Sequence, residues 1–516
     1  MTHLSNLRAS EGNYTNLRRI SEFHGWGSCA PMNKKIFGIR IVTVVSFASL
    51  LVTGAIASGV IPNLFEFVNP TGKSSTVNDA GASHANNPFF QSLGTNGRSC
   101  ATCHLASDAM GLSAASVQSR FAATGGQDPL FAPVDGANCE DAVSGDAASH
   151  SLMLGNGLVR VGLDLPSNAQ YTITAPYDPY GCAITRDPVN GQPVISVYRR
   201  PLPTTNLGFL STVMFDGRET IAPLNNGNTF QANLLTDLAH QAVDATLIHA
   251  QSAAAPTTDQ VNAMVSFELG LHSAQIVDNS AGRLDAQGGL GGAMNLNNQQ
   301  YYPGINDSLG SNPTGAAFNP SAFTLFDGWT HLQSSQKDPY TVTRESVAAG
   351  QKLFNTFPLT ITNVRGLNDA LKTASIPGNC TTCHDTPNVG NHSLPVPLDI
   401  GVSHSAASET APEISAALPQ LSVPNLPIYR IACNAGPMSG QVIFTSDPGK
   451  SLISGLCTDI NRVKGPILRG LPARAPYFHN GSAASLEEVV NFYNLRFQMN
   501  LTDQQKADLV AFLRSL

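Results

Sequence analysis

Apolar residues along this chain recur mainly at three- and four-residue intervals, in segments separated by long stretches rich in turn residues. Over 229–251, Leu234, Leu235, Leu238, Ala242 and Ala245 share one stripe, which predicts a helix. A second helix is predicted over 258–275, opened by Thr257-Thr258-Asp259-Gln260, a capping-box pattern. A third amphipathic segment starts near Thr343 and carries Val347, Leu353 and Phe354. Ser485-Leu486-Glu487-Glu488 caps a helix bearing Val489, Val490 and Tyr493, and Thr502-Asp503-Gln504-Gln505 caps a last one through Leu509, Val510, Phe512 and Leu513. Residues 123–200, 278–320 and 385–465 hold turn pairs such as Asp135-Gly136 and Asn190-Gly191, or Gly/Asn runs, and read as loops. No long alternation of apolar and polar residues stands out. The expectation is a mainly α fold with long loops.

One apolar run differs from these. Ile41 to Ala57 follows Met32-Asn33-Lys34-Lys35 and Arg40 and ends in Ala55-Ile56-Ala57. Basic residues, an apolar stretch and small residues are the three parts of a secretory signal peptide. Residues 1–31 are polar and mixed in charge, so translation is expected to start at Met32, with 1–57 as the leader. An uncleaved anchor helix is the alternative, and only that form would bring the chain to a membrane.

Length and composition narrow the class. At 516 residues two or three domains are expected. Charged residues make up only 13% and the net charge is −7, so no basic footprint for nucleic acid exists. Loss of the leader removes six basic and two acidic residues, leaving an acidic exported chain suited to a small basic redox protein.

The cysteines carry the chemistry. Cys29 lies in the leader. Cys100-Ala101-Thr102-Cys103-His104 and Cys380-Thr381-Thr382-Cys383-His384 are both C-x-x-C-H, the attachment signature of c-type haem. Two thiols about one turn apart can add to the two vinyl groups of a porphyrin, and the adjacent histidine then meets the iron. A zinc ribbon would need its second C-x-x-C nearby, and the two pairs stand far apart in the chain. Two covalent haems are expected. Cys139, Cys182, Cys433 and Cys457 remain; they allow three pairings, of which proximity favours Cys139–Cys182 and Cys433–Cys457. The chain divides accordingly into a leader (1–57), a linker (58–85), an N-terminal haem domain with inserted loops (86–340) and a C-terminal haem domain (341–516).

Several segments together resemble the bacterial di-haem cytochrome c peroxidase and MauG superfamily. They are Asn96-Gly97-Arg98-Ser99-Cys100, Arg199-Arg200-Pro201-Leu202-Pro203-Thr204 followed by Phe215-Asp216-Gly217-Arg218, and Asp237-Leu238-Ala239-His240-Gln241-Ala242. The most specific is Leu468-Arg469-Gly470 through Ala475-Pro476-Tyr477-Phe478-His479-Asn480-Gly481 to Leu486-Glu487-Glu488-Val489-Val490. The resemblance implies two cytochrome c-like helical domains, a reactive haem on His104 and a relay haem on His384. The relay haem's second ligand stands sixteen residues past the A-P-Y tyrosine, as Met in the peroxidases and Tyr in MauG-like members. Here that position is Tyr493. Tyr493 also continues the apolar stripe of Leu486, Val489 and Val490, which equally suits a packed core tyrosine.

Three departures bear on activity. The family's tryptophan in W-D-G-R is Phe215, and the remaining tryptophan after the leader, Trp329, reads as a packing residue. The family's catalytic glutamate, ten residues past the Q-A glutamine Gln241, is Gln251, which cannot take a proton from peroxide; His249 beside it can. The family's distal histidine position is Arg120, and no histidine occurs between His104 and His150, which implies an open reactive haem. The candidate catalytic residues are therefore Gln241, His249 and Gln251. The resemblance also brings calcium as a candidate ion. Its asparagine falls near Pro201 and its threonine is Arg474, whose charge would take the ion's place.

Together these features predict a periplasmic di-haem oxidoreductase that reduces peroxide or uses it to oxidise another substrate. A plain electron-transfer cytochrome and a di-haem oxygenase of the rubber-cleaving kind are the alternatives.

Overall fold

The chain does not fold as mainly helix. About 31% of it is helical and 17% is strand, and the strands form several sheets. The structure is a computed structural model that describes residues 61–78, 86–221, 230–332, 338–403, 422 and 424–516. The leader, its Met32 start and the anchor reading lie outside these residues. No helix among the described residues is long and apolar enough to cross a membrane.

Twelve strands are described: β1 (Glu66–Asn69), β2 (Gly72–Asn78), β3 (Val159–Asp164), β4 (Tyr171–Tyr177), β5 (Ile184–Arg186), β6 (Pro193–Arg199), β7 (Leu271–Asp278), β8 (Gly282–Arg283), β9 (Leu359–Thr362), β10 (Ser375–Gly378), β11 (Ile428–Cys433) and β12 (Val442–Thr445). They order as β1-β2-β7-β8, β3-β6-β5, β12-β11-β4 and β10-β9. Three of these sheets use segments that composition marks as loop or linker. In β4, Tyr171, Ile173, Ala175 and Tyr177 do alternate with exposed residues, but threonine and proline mask the period. β7 is buried on both faces and so shows no alternation at all. It begins where the helix expected through residue 275 stops, at Leu269 before Gly270. Its partner β2 is polar yet buried, with the Thr76 and Ser273 hydroxyls paired at 2.8 Å.

The longer helices are α1 (Ala114–Thr124), α2 (Phe230–Ile248), α3 (Thr258–Leu269), α4 (Thr341–Thr356), α5 (Leu486–Arg496) and α6 (Asp503–Arg514); α2 to α6 fall where periodicity and caps place them, and α1 is an addition to that expectation. The boxes at Thr257/Gln260 and Thr502/Gln505 close in both directions. At Ser485 only half closes: its hydroxyl accepts the Glu488 N–H at 3.3 Å, while the Glu488 carboxylate takes the Ala484 N–H at 2.9 Å.

The largest core gathers Phe323, Phe326, Phe354 and Phe512 around the α4–α6 crossing. Trp329 belongs to it, fully buried, stacked on Phe326 at 4.7 Å and donating through its indole to the Ala286 carbonyl. Residues Ala55–Leu516 form one compact unit, and β11 from late in the chain pairs with β4 from early in it.

Candidate functional site

The two C-x-x-C-H motifs adopt one conformation. Each opens a single 3₁₀ turn, Cys100–Thr102 and Cys380–Thr382, with Cys103 and Cys383 at φ −109° and −111°. The threonine hydroxyl of each turn, on Thr102 and Thr382, accepts the N–H of the capping residue, Ser99 or Asn379, at 3.0 Å. The histidine N–H donates back to the first cysteine carbonyl at 3.1 Å in both. The imidazoles are fixed alike: His104 Nδ1 meets the Met110 carbonyl at 3.2 Å, and His384 Nδ1 meets the Gly390 carbonyl at 2.6 Å. A carbonyl only accepts, so Nδ1 holds the proton and Nε2 keeps its lone pair for a metal. Burial holds both imidazoles below the ordinary histidine value, His104 at about 4.

The four motif cysteines are unpaired with one another. Burial pushes their thiols up, Cys103 to about 11 and Cys380 and Cys383 to about 12. A thioether, the form haem attachment leaves, carries no charge for this burial to penalise. Cys139 stands beside Cys182 and Cys433 beside Cys457, with Cα atoms 5.9 and 6.1 Å apart, inside disulfide range.

Cys100, Cys103 and His104 open onto a cavity with about 1640 Å³ of space between protein atoms, its mouth included. Gln241 and His249 line it, on and just past α2. His249 Nδ1 bonds to the Asp135 carboxylate, which also receives the Arg98 guanidinium; all three line the cavity. Burial alone would raise the Asp135 carboxyl, but the His249 hydrogen bond and the neighbouring charges outweigh it and hold the group below the usual carboxylate range. The walls also carry Arg218, paired with Asp216 at 3.0 Å, and Lys464, which donates to the Thr212 carbonyl at 2.6 Å and whose ammonium burial pushes down to about 7.

Gln251 is turned elsewhere. It sits past the end of α2 at φ +54°, with its side-chain oxygen taking the Asn96 amide at 3.3 Å and its carbonyl taking the Thr95 hydroxyl at 3.0 Å. It does not line the cavity. Nor does Arg120, which is paired with Asp128 and donates to the Thr102 carbonyl. His104 and His249 are the histidines of the cavity wall.

Sequence reasoning missed two carboxylates here. Asp135 hides in a turn pair. Glu268 lies on α3, buried, with Oε2 unpartnered, and burial pushes its carboxyl up to about 7. Its signal was present in the sequence: Glu268 stands seven residues past Val261, on the stripe of Met264 and Val265.

Around the second motif, Tyr493 packs in the core that also takes in Cys380 and Cys383. Phe492 and Phe497 flank its ring at 5.3 and 6.2 Å. Burial raises its phenol, with Cys383 and Cys380 nearby adding to the shift, and no hydrogen bond to its hydroxyl is present among the described residues. Phe215 is buried against His479, ring centroids 5.9 Å apart, and also lines the first cavity. Arg474 Nε donates to the Gly470 carbonyl at 3.2 Å, and its Nη2 reaches the Ile467 and Arg469 carbonyls.

Each C-x-x-C-H turn aims a histidine in the manner of a c-type haem site, and the comparisons find cytochrome-c peroxidases. No family model matches the chain. It is 31% identical over 148 residues to cytochrome-c peroxidase IdrP2 of Denitromonas iodatirespirans, across 27% of this chain and 36% of that one. It is 39% identical over 69 residues to cytochrome-c peroxidase IdrP1 of the same organism, 11% of this chain and 18% of that one. The cytochrome c551 peroxidase of Nitrosomonas europaea matches at 32% over 100 residues, 17% of this chain and 30% of that one. The chain thus spans about a third or less of the curated relatives it matches. Among solved structures, a MauG-like protein associated with microbial copper homeostasis aligns at 15% identity and TM-score 0.25, over 65% of this chain and 79% of that one, too low a score to bear on the fold. Over these segments the chain resembles bacterial cytochrome-c peroxidases.

Proposed function

We propose that the protein is a periplasmic di-haem c-type oxidoreductase of the peroxidase kind. Haem c would be held by Cys100, Cys103 and His104 in the first site, and by Cys380, Cys383, His384 and Tyr493 in the second. The observation that carries the reading is the His249–Asp135 pair on the wall of the cavity that His104 enters.

Haem in the two sites would supply electron transfer and, where a coordination position is open, scission of the peroxide bond. The chain's own residues handle protons. Asp135, kept charged, holds the proton on His249 Nδ1 and leaves Nε2 as the free base. Nε2 takes the proton from one peroxide oxygen and returns it to the departing one, the task of a general acid–base group. Two electrons and two further protons then complete reduction of peroxide to two waters, the electrons arriving from a small redox protein. Gln241, on the same wall, offers an amide to orient peroxide; Gln251 has no part.

The same reading takes 86–340 and 341–516 as the two haem-bearing parts, with Cys139–Cys182 and Cys433–Cys457 oxidised after export. It assigns no calcium to the Pro201–Arg474 region, because the Arg474 guanidinium already occupies the carbonyls there.

Steady-state peroxide reduction by wild type and His249→Gln tests it. A loss of about 10²–10⁴-fold is expected. Turnover untouched by the substitution would place the base elsewhere, stable oxygen binding would favour the oxygenase, and inertness to peroxide would leave an electron carrier.

A further inference from the structure

Away from the cavity, Asp307, Asp385 and His392 come together, each offering one donor atom within 4.8 Å of the others. Asp307 belongs to the Gly/Asn-rich insertion; Asp385 and His392 belong to the loop that follows the second motif. The contact between these loops is built. Asn306 donates to the Asp385 carbonyl at 3.0 Å, Ser308 to the Thr382 carbonyl at 2.8 Å, and the Gly304 N–H to the Ser393 carbonyl at 3.0 Å.

Each aspartate is half-satisfied. Asp307 Oδ2 takes the Ser311 N–H and Asp385 Oδ1 takes the Ser393 N–H, both at 2.7 Å. Asp307 Oδ1 and Asp385 Oδ2 receive nothing, although both residues are fully buried. Thr386 Oγ1, Asn391 Oδ1, His392 Nε2 and Ser393 Oγ are also buried without partners. Neither aspartate pairs with a lysine or arginine among the described residues. Two buried carboxylates facing one another repel when ionised, and nothing among the described residues offsets that repulsion with a lysine or arginine.

These atoms have no surface a water can reach, so they face neither solvent nor an open haem pocket. Asp385 Oδ2 lies 3.6 Å from His392 Nδ1, the spacing of two ligands on one small ion. The Leu394 N–H that points at Nδ1 does so at 3.2 Å, a weak bond that a metal would displace.

We propose that Asp307, Asp385 and His392 bind one divalent transition-metal ion of the Zn²⁺ or Mn²⁺ kind. An imidazole nitrogen in the set disfavours Ca²⁺ and Mg²⁺, which take oxygen. The ion neutralises the two carboxylates and ties the insertion to the loop behind His384. The site is independent of the peroxidase reading.

The haem-loaded protein, dialysed first against EDTA and then against Zn²⁺, Mn²⁺ or Ca²⁺, is assayed for metal and iron per chain by mass spectrometry. Wild type should retain one Zn²⁺ or Mn²⁺ per chain and gain thermal stability from it. Asp307→Asn and His392→Gln should each weaken that binding by about 10- to 100-fold with iron content unchanged. If one variant loses haem, the other carries the comparison. Wild type that retains neither Zn²⁺ nor Mn²⁺, retains only Ca²⁺, or binds as tightly as both variants overturns the proposal.

Discussion

His249 and Asp135 are bonded to each other across 114 residues of sequence, the imidazole Nδ1 on the carboxylate. In the proposed function that bond orients the histidine at the helix end as the base. Asp135→Asn should then impair peroxide turnover less than loss of His249 itself, about 10-fold, because the imidazole stays but its tautomer is no longer enforced. The folded Asp135 carboxyl lies below its usual value, so its stabilising contribution persists above the ordinary carboxylate range and is lost only as pH falls through that lowered value. Thermal melts of wild type against Asp135→Asn across acid pH should converge at the low end.

Glu268 runs the opposite way. Burial raises it from 4.5 to about 7, so its contribution is full below 4.5 and drains away as pH rises towards 7. Glu268→Gln should flatten the stability profile between those values. A profile identical to wild type would mean the carboxyl finds a partner in the folded protein.

Tyr493→Phe keeps the ring among Phe492 and Phe497 while removing the one atom that no neighbour bonds. Stability should change by less than about 1 kcal/mol, and the electron paramagnetic resonance signal of one haem should pass from low to high spin. An unchanged spectrum would make Tyr493 a packing residue.

Mass also counts the haems. Denatured chain should carry two haem masses, and joint substitution of Cys380 and Cys383 by Ala should leave one. Retention of two would break the assignment of the second motif.

Gly350 stands where α4 crosses α6, and a Cβ there would collide with the Asp508 carbonyl oxygen. Gly350→Ala should cost about 1–3 kcal/mol or more in urea denaturation, despite alanine's better helix propensity. A neutral or stabilising effect would show that the crossing can open.

The chain's local code settled what depends on near neighbours. C-x-x-C-H was legible because attachment needs thiols one turn apart, whatever surrounds them, and both motifs adopt one turn. Helices α2 to α6 were legible because stripe and cap are written within a few residues, as at Thr257 and Thr502. The mainly α expectation failed where strands are short, threonine-rich or buried on both faces, as in β4 and β7, since such strands owe their burial to partners far along the chain. Counting along α2 put Gln251 at the family's acid position, but the helix ends at Ile248 and Gln251 turns outward to Asn96. The burial of Glu268 was written in its own helical stripe, but Asp135 beneath His249 and Asp307 against Asp385 and His392 were decided by tertiary packing alone. Each of these last two is a charged group whose meaning is set by burial and by a partner, and neither is encoded in the spacing of its own segment.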